Sequence, residues 1–176
     1  MRGRRRAGAV LPLTLVYTLL LSALAATALQ GAALQLRMAR NAQSQLVALR
    51  QAGAVVREMA LRRDNFPLEA PVGHRECLPG DAAADCDGHG LAPPLHTGAG
   101  PGVELRARVS REYPQTLTLP PGAQSGTAHA LFEVEATMQG DAAGAGSARV
   151  VLGVAVPVGA GAPVPLYWRE PGIDPL

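Results

Sequence analysis

The sequence predicts an α+β protein in which a long N-terminal helix, partly transmembrane, packs on a small antiparallel β-sheet. Three observations support this fold class. No charged residue occurs between Arg6 and Arg37, and helical patterning continues beyond that run. The second half of the chain alternates apolar with polar residues, as half-buried strands do. With 176 residues, the chain is long enough for one compact domain.

The composition excludes two broad classes of protein. Hydrophobic residues make up 48% of the chain, aromatic residues 3% and charged residues 17%, with a net charge of +2. A strongly basic nucleic-acid-binding protein or a highly charged disordered chain would need many more charges. We therefore expect a folded chain with no direct nucleic-acid partner.

The uncharged run is predicted to enter a membrane. Residues 9–29 are almost entirely apolar, and about 20 such residues span the hydrocarbon core as a helix. The arginines at positions 2, 4, 5 and 6 precede this segment, so the positive-inside rule leaves the N-terminus in the cytoplasm and exports the rest. A cleavable secretory signal ending at Ala28 is the alternative, because small residues stand at Ala26 and Ala28.

Helical patterning continues after the membrane segment. Small or apolar residues recur at steps of three and four, which draws one stripe along a helix. The stripe comprises Ala39, Ala42, Leu46, Leu49, Gly53, Val56 and Ala60. Residues 9–63 are therefore predicted as a transmembrane helix that continues as an amphipathic one. Pro12 is tolerated if the mature helix begins at Ala9, because the first four helical N–H groups have no intrahelical partner.

The segment RAGAVLPLTLVYTLLLSALAATALQGAALQLRMARNAQSQLVALRQAG resembles the N-terminal region of PilX-type minor pilins of type IV pilus systems. The family signature is matched by Leu34-Gln35, Arg37-Met38-Ala39 and Asn41. The resemblance covers residues 1–63 clearly and implies a pilin-like fold with a leader at residues 1–8. It also implies cleavage between Gly8 and Ala9 by a prepilin peptidase. Other minor pilins, the pilus assembly platform and a tip adhesin are the partners it implies.

Leu13 departs from the pattern of major pilins. Those proteins carry a glutamate at the fifth mature residue, which is Leu13 if cleavage follows Gly8. A carboxylate inside a membrane is costly and is normally kept for a partner. Its absence fits a minor subunit at or near the filament tip. The expected location is the inner membrane, with the C-terminal domain in the periplasm and later in the pilus.

Three other functions remain open. A minor pseudopilin of a type II secretion system would share the same N-terminal helix. A secreted binding domain would be released by cleavage after Ala28. A single-pass envelope protein would never be processed.

The exported half is predicted to be a loop followed by a sheet. Residues 64–102 are rich in Gly and Pro, and residues 103–176 are predicted as an antiparallel β domain with a Pro-rich C-terminal segment. Strands are predicted over 103–109, 132–138 and 148–156. If the first two are neighbours, Arg106 and Arg108 would face Glu133 and Glu135. Trp168 is predicted mainly to cover the edge of the sheet, with a partner contact as the alternative.

Cys77 and Cys86 are predicted to form a disulfide, because they are close in sequence and lie in the exported half. A zinc site is the alternative, since His74 precedes Cys77 by three residues and His89 follows Cys86 by three. The aspartates at 81, 85 and 87 match only part of a calcium loop, so solvated turn residues explain them better.

No catalytic constellation is evident. The four histidines, at positions 74, 89, 96 and 129, occur in turn-like or Gly- and Pro-rich contexts, and no metalloprotease, hydrolase or phosphate-loop motif occurs. We therefore expect no enzymatic activity, no metal and no cofactor.

Overall fold

The computed structural model describes residues 10–81, 85–95, 103–119, 127–140 and 146–170. It contains one α-helix, α1 (Val10–Leu61), and a short 3-10 helix at Arg63–Asn65. Five strands follow, in the order β1 (Arg75–Cys77), β2 (Val103–Thr118), β3 (Ala128–Gly140), β4 (Ser147–Pro157) and β5 (Val164–Arg169). The predicted α+β class is confirmed.

The chain divides into two compact units, one ending at Arg40 and the other beginning at Asn41. In the first unit the described residues are all helical. Pro12 is the third residue of α1, where its missing N–H costs no intrahelical bond. The helix has no acidic residue in its first turn and no basic residue in its last turn.

In the second unit the sheet is a simple meander. The strands lie in the order β1-β2-β3-β4-β5, and each pairs antiparallel with its neighbour in sequence. The register between β2 and β3 shifts between Glu112 and Leu117. β1 and β5 were not predicted: β1 has three residues within the Gly- and Pro-rich loop, and β5 contains Pro165.

The C-terminal part of α1 packs on one face of the sheet. Phe132 and Val134 of β3, with Val150 and Val154 of β4, are fully buried or nearly so in this core. Phe66, just after the 3-10 helix, closes the core with its ring centroid 5.2 Å from that of Phe132. Burying side chains of this size contributes about 1.5–3 kcal/mol each.

The predicted stripe on the helix is partly wrong. Gly53 and Val56 are buried, but Ala39, Ala42 and Leu46 are exposed. The buried face consists of Ala48, Ala52, Gly53, Val55, Val56 and Met59. Small residues occur all around this part of the helix, so the contrast between its faces is weak and the pattern misplaced the centre of the buried face.

Candidate functional site

The N-terminal part of α1 exposes a continuous apolar surface. Leu13 is 70% exposed and Leu29 is 71% exposed, and other leucines between them are more than half exposed. The helix is long and apolar enough to cross a membrane. It contains an 18-residue stretch with a mean hydropathy of 1.8, and no residue of that stretch is buried. This part of the helix could therefore span a bilayer.

Hydroxyl groups within the apolar segment bond to the helix itself. Each donates to a backbone carbonyl three or four residues earlier: Thr18 to Leu15 (3.0 Å), Ser22 to Thr18 (2.8 Å) and Thr27 to Leu24 (2.9 Å). A bilayer core holds no water to satisfy such groups, so local bonds of this kind suit a lipid environment.

The residues that were matched to the pilin signature lie on the surface of α1. Gln35, Arg37, Met38, Ala39 and Asn41 are all exposed. The structure does not gather them into a pocket, and their side chains are accessible to another molecule. The predicted processing site, Gly8 and Ala9, lies outside the described residues.

Cys77 and Cys86 form the predicted disulfide, with their Cα atoms 5.9 Å apart. The bridge joins the last residue of β1 to the loop that follows. Beside it, the backbone N–H of Cys77 donates to the carbonyl of Gly88 at 2.9 Å. A disulfide suits an oxidising compartment such as the periplasm.

The disulfide excludes the zinc alternative, because a cysteine binds zinc only as a thiolate and both sulfur atoms are in the bridge. The two candidate histidines also have other partners. Nε2 of His74 donates to Oε1 of Glu76 at 3.0 Å, and Nε2 of His89 donates to the carbonyl of Asp81 at 2.8 Å.

The aspartates of this loop bind arginine and backbone groups. Oδ2 of Asp85 accepts from Nη1 of Arg75 and from Nη1 of Arg108, each at 3.1 Å. Oδ2 of Asp87 accepts from the backbone N–H of Arg75 at 2.9 Å. No group of three or more His, Cys, Asp or Glu residues suited to a metal ion occurs in the described ranges. These contacts hold the loop against β1 and β2.

Glu76 adds further hydrogen bonds beside the disulfide. Its carboxylate accepts from His74 and, through Oε2, from the backbone N–H of Gly90 at 3.0 Å. These hydrogen bonds, with that from His74 the largest influence, lower the pKa of Glu76 below its usual value of 4.5. Gly88 leaves the space that the carboxylate occupies, since a Cβ there would lie 2.3 Å from Oε1.

The outward face of the sheet carries a network of ion pairs. Glu135 on β3 accepts from Arg108 at 2.7 Å and from Arg149 at 2.8 Å. Arg108 lies directly opposite Glu135, as predicted, but Arg106 lies opposite Thr137 and pairs with Glu104 on its own strand. Glu133 lies opposite Ser110, so the prediction that both arginines face both glutamates was wrong: the register differs by two residues from the one that would pair them.

Tyr167 and Arg169 of β5 both donate to Glu133 of β3. Desolvation, followed by the hydrogen bond to Glu133, raises the pKa of Tyr167 to about 12. The Tyr167 ring lies over Gly153 of β4, where a Cβ would approach it to 2.2 Å. These contacts hold β5, an edge strand, against β3 and β4.

Trp168 packs against α1 and is half-buried, in line with the packing role predicted for it. A Cβ at Gly53 would lie 3.2 Å from the Trp168 ring, so the glycine permits the close approach. The guanidinium of Arg57 stacks 4.9 Å from the centroid of the same ring. An attraction of this kind contributes about 0.5–1 kcal/mol at an exposed site.

Sequence reasoning missed Arg111, which is only 5% exposed. Its guanidinium donates to the carbonyls of Leu68 and Ala70 and stacks 5.9 Å from the Phe132 ring. The signal was present, because Arg111 continues the alternation of Ala107 and Val109 on the inward face of β2. Arg111 ties the loop after the 3-10 helix to the sheet.

Comparison with protein-family models, curated proteins and solved structures finds no match to this chain.

Proposed function

We propose that this chain is a minor pilin-like subunit that takes part in the assembly or initiation of a type IV pilus, at or near the filament tip. It acts by packing and subunit contact. The apolar half of α1 holds the subunit in the inner membrane before assembly, and the same surface later contacts the helices of neighbouring subunits. Small residues such as Ala25 and Gly31 allow that close approach.

One observation carries the proposal: a single helix, Val10–Leu61, has an exposed uncharged apolar part and also supplies the core of a disulfide-bonded sheet domain. A cleaved secretory signal would not need a helix shared with the folded domain. A subunit that leaves a membrane and joins a filament does need one. The proposed location is the inner membrane, with residues after the apolar segment in the periplasm.

The resemblance to PilX-type minor pilins adds the processing step. A prepilin peptidase would cut after Gly8 and leave Ala9 as the first mature residue. Other minor pilins, the assembly platform and a tip adhesin are the proposed partners.

Amino-terminal sequencing of the mature protein, combined with fractionation, tests the proposal. We expect Ala9 as the first residue and the chain in pili sheared from the cell surface, and deletion of its gene should remove surface pili. Leu29 as the first residue, with the chain in the culture fluid, would identify a secreted domain. An unprocessed chain confined to membranes would identify an envelope anchor.

A minor pseudopilin of a type II secretion system would give the same first residue. The two functions separate on the deletion phenotype: loss of secreted proteins with surface pili intact would favour the secretion system and contradict our proposal.

A further inference from the structure

One face of α1 in the second unit is turned away from the sheet. Its residues are exposed, and from Val47 onward they follow one another at steps of three and four, so they are neighbours on the helix surface; Leu46 lies four residues before Arg50. We call this the outer helix face; it consists of Leu46, Val47, Arg50, Ala54, Arg57 and Leu61.

The outer helix face leaves large apolar side chains uncovered. Leu46 is 53% exposed and Leu61 is 79% exposed. Beside Leu61, a groove of about 520 Å³ opens between the end of α1 and β5, lined largely by apolar side chains that include Leu166 and Trp168. Contiguous apolar surface of this kind is typical of a contact with another molecule.

The same face carries two arginines, Arg50 and Arg57, that form no ion pair within the described part of the chain. They lie two helical turns apart. The Oε1 atom of Glu58, the acidic residue next to Arg57 in sequence, accepts from Nη2 of Arg62 at 2.8 Å and from the backbone N–H of Leu95 at 2.6 Å. A partner that covers this face would remove water from the arginines, so it must supply acceptors for them.

The helix of a second copy of this chain cannot supply carboxylates along its length. Glu58 is the first acidic residue of the sequence, so residues 10–57 bring only arginines as charged groups. Two such helices side by side would place like charges together, which opposes association.

We propose that the outer helix face binds an α-helix of a different protein chain, one that carries Asp or Glu opposite Arg50 and Arg57 and small or apolar residues between them. The inference rests on the proposed function, since it names the neighbour that such a subunit would have. Stacking on Trp168 holds the Arg57 guanidinium in place while its donors remain available to a carboxylate.

Anionic lipid headgroups would also attract the two arginines. They would leave Leu46 and Leu61 in polar surroundings, whereas an amphipathic helix covers both the apolar and the charged positions. The surface therefore fits a protein partner better.

A photo-reactive residue, p-benzoylphenylalanine, placed at Ala54 of the full-length chain in its native membrane tests the proposal. We expect a crosslink to a helical peptide of another protein, with an acidic residue within about one helical turn of the linked position. Arg50→Gln should lower the crosslink yield about fivefold, the effect of losing roughly 1 kcal/mol of ion pairing, and Arg50→Lys should restore most of it. Arg106→Gln removes an exposed charge from the sheet and should leave the yield unchanged.

Four outcomes would overturn the inference: a crosslink between two copies, an adduct with lipid only, a linked segment that contains no acidic residue, or no adduct at all. Each can be distinguished from failure of the proposed function. If the chain is found in sheared pili but its copies crosslink to each other, the partner inference fails and the pilin proposal stands.

Discussion

Gly153 shows how a single residue fixes an edge strand. The Tyr167 ring occupies the space where any other residue at position 153 would place its Cβ, and the phenol donates to Glu133 on the next strand but one. β5 therefore depends on contacts with both β4 and β3. A side chain at position 153 would push the ring away and weaken both contacts.

For Gly153→Ala we expect the free energy of unfolding to fall by about 1–3 kcal/mol, because the ring cannot shift without losing its bond to Glu133. Thermal unfolding in detergent, followed by near-ultraviolet circular dichroism, measures the change. Gly159→Ala is the matched control, since, its chain neighbours apart, no atom of the described residues lies within 4 Å of a Cβ there. Equal losses in the two variants would show that the Tyr167 contact is not the cause.

Glu76 makes stability depend on pH. Its pKa is lowered in the folded state, mainly by the hydrogen bond from His74, so the ionised form stabilises the fold. That contribution is present above pH 4.5 and is lost as the pH falls through the lowered pKa. We expect the wild-type protein to have a higher melting temperature than Glu76→Gln at pH 7, and the difference between the two melting temperatures to shrink below pH 4.5. A difference independent of pH would contradict this assignment.

At the scale of elements, the sequence predicted the strands whose two faces differ most. β2, β3 and β4 contain the predicted segments, and the inward positions of β3 are buried as expected. β4 is also buried on its outward side, at Val151 and Ala155. Both of its faces are therefore covered, and its sequence alternates less clearly between apolar and polar residues. β1 and β5 owe their conformation to partners distant in sequence, which local patterns do not contain.

The disulfide loop is the element with the clearest energetic role. Closing a loop of nine residues should stabilise the fold by about 2–3 kcal/mol through the entropy of the unfolded chain. We therefore expect the double variant Cys77→Ser/Cys86→Ser to lose about that much, measured by thermal unfolding.

Asp85→Asn is the companion variant for the loop. It keeps the bridge and weakens the contacts with Arg75 and Arg108, which are exposed and should contribute only about 0.2–1 kcal/mol each. A larger loss for Asp85→Asn than for the double cysteine variant would show that ion pairs, and not the covalent bond, hold the loop.

At the scale of the whole molecule, the apolar part of α1 should decide membrane retention. Leu20→Arg places a charge near the middle of the uncharged run and should cost about 2.5–3.5 kcal/mol of insertion free energy. We expect the fraction of the chain that resists alkaline carbonate extraction to fall. Leu95→Arg is the control, because Leu95 is 79% exposed and lies outside both the uncharged run and the outer helix face. Equal extraction of both variants would contradict a membrane-spanning role.

The candidate site was predictable only where covalent or compositional signals exist. The uncharged run and the two cysteines were sufficient for the apolar segment and for the disulfide. The outer helix face was not predicted as a surface, because Leu46 was assigned to the buried stripe and the pattern does not show which side of the helix the sheet covers.

The order of the strands bears on how the sheet domain folds. Because each strand pairs with its neighbour in sequence, every strand after β1 finds a pairing partner in place when the sheet grows from β1. Such short-range pairing keeps the loops to be closed small, which favours fast folding. The sheet can form in order from β1 to β5. The edge strand β5, which lines the groove beside Leu61, is then the last strand to pair. A chain in which β5 has not yet paired would lack that groove, so only the completed sheet would offer it to another molecule.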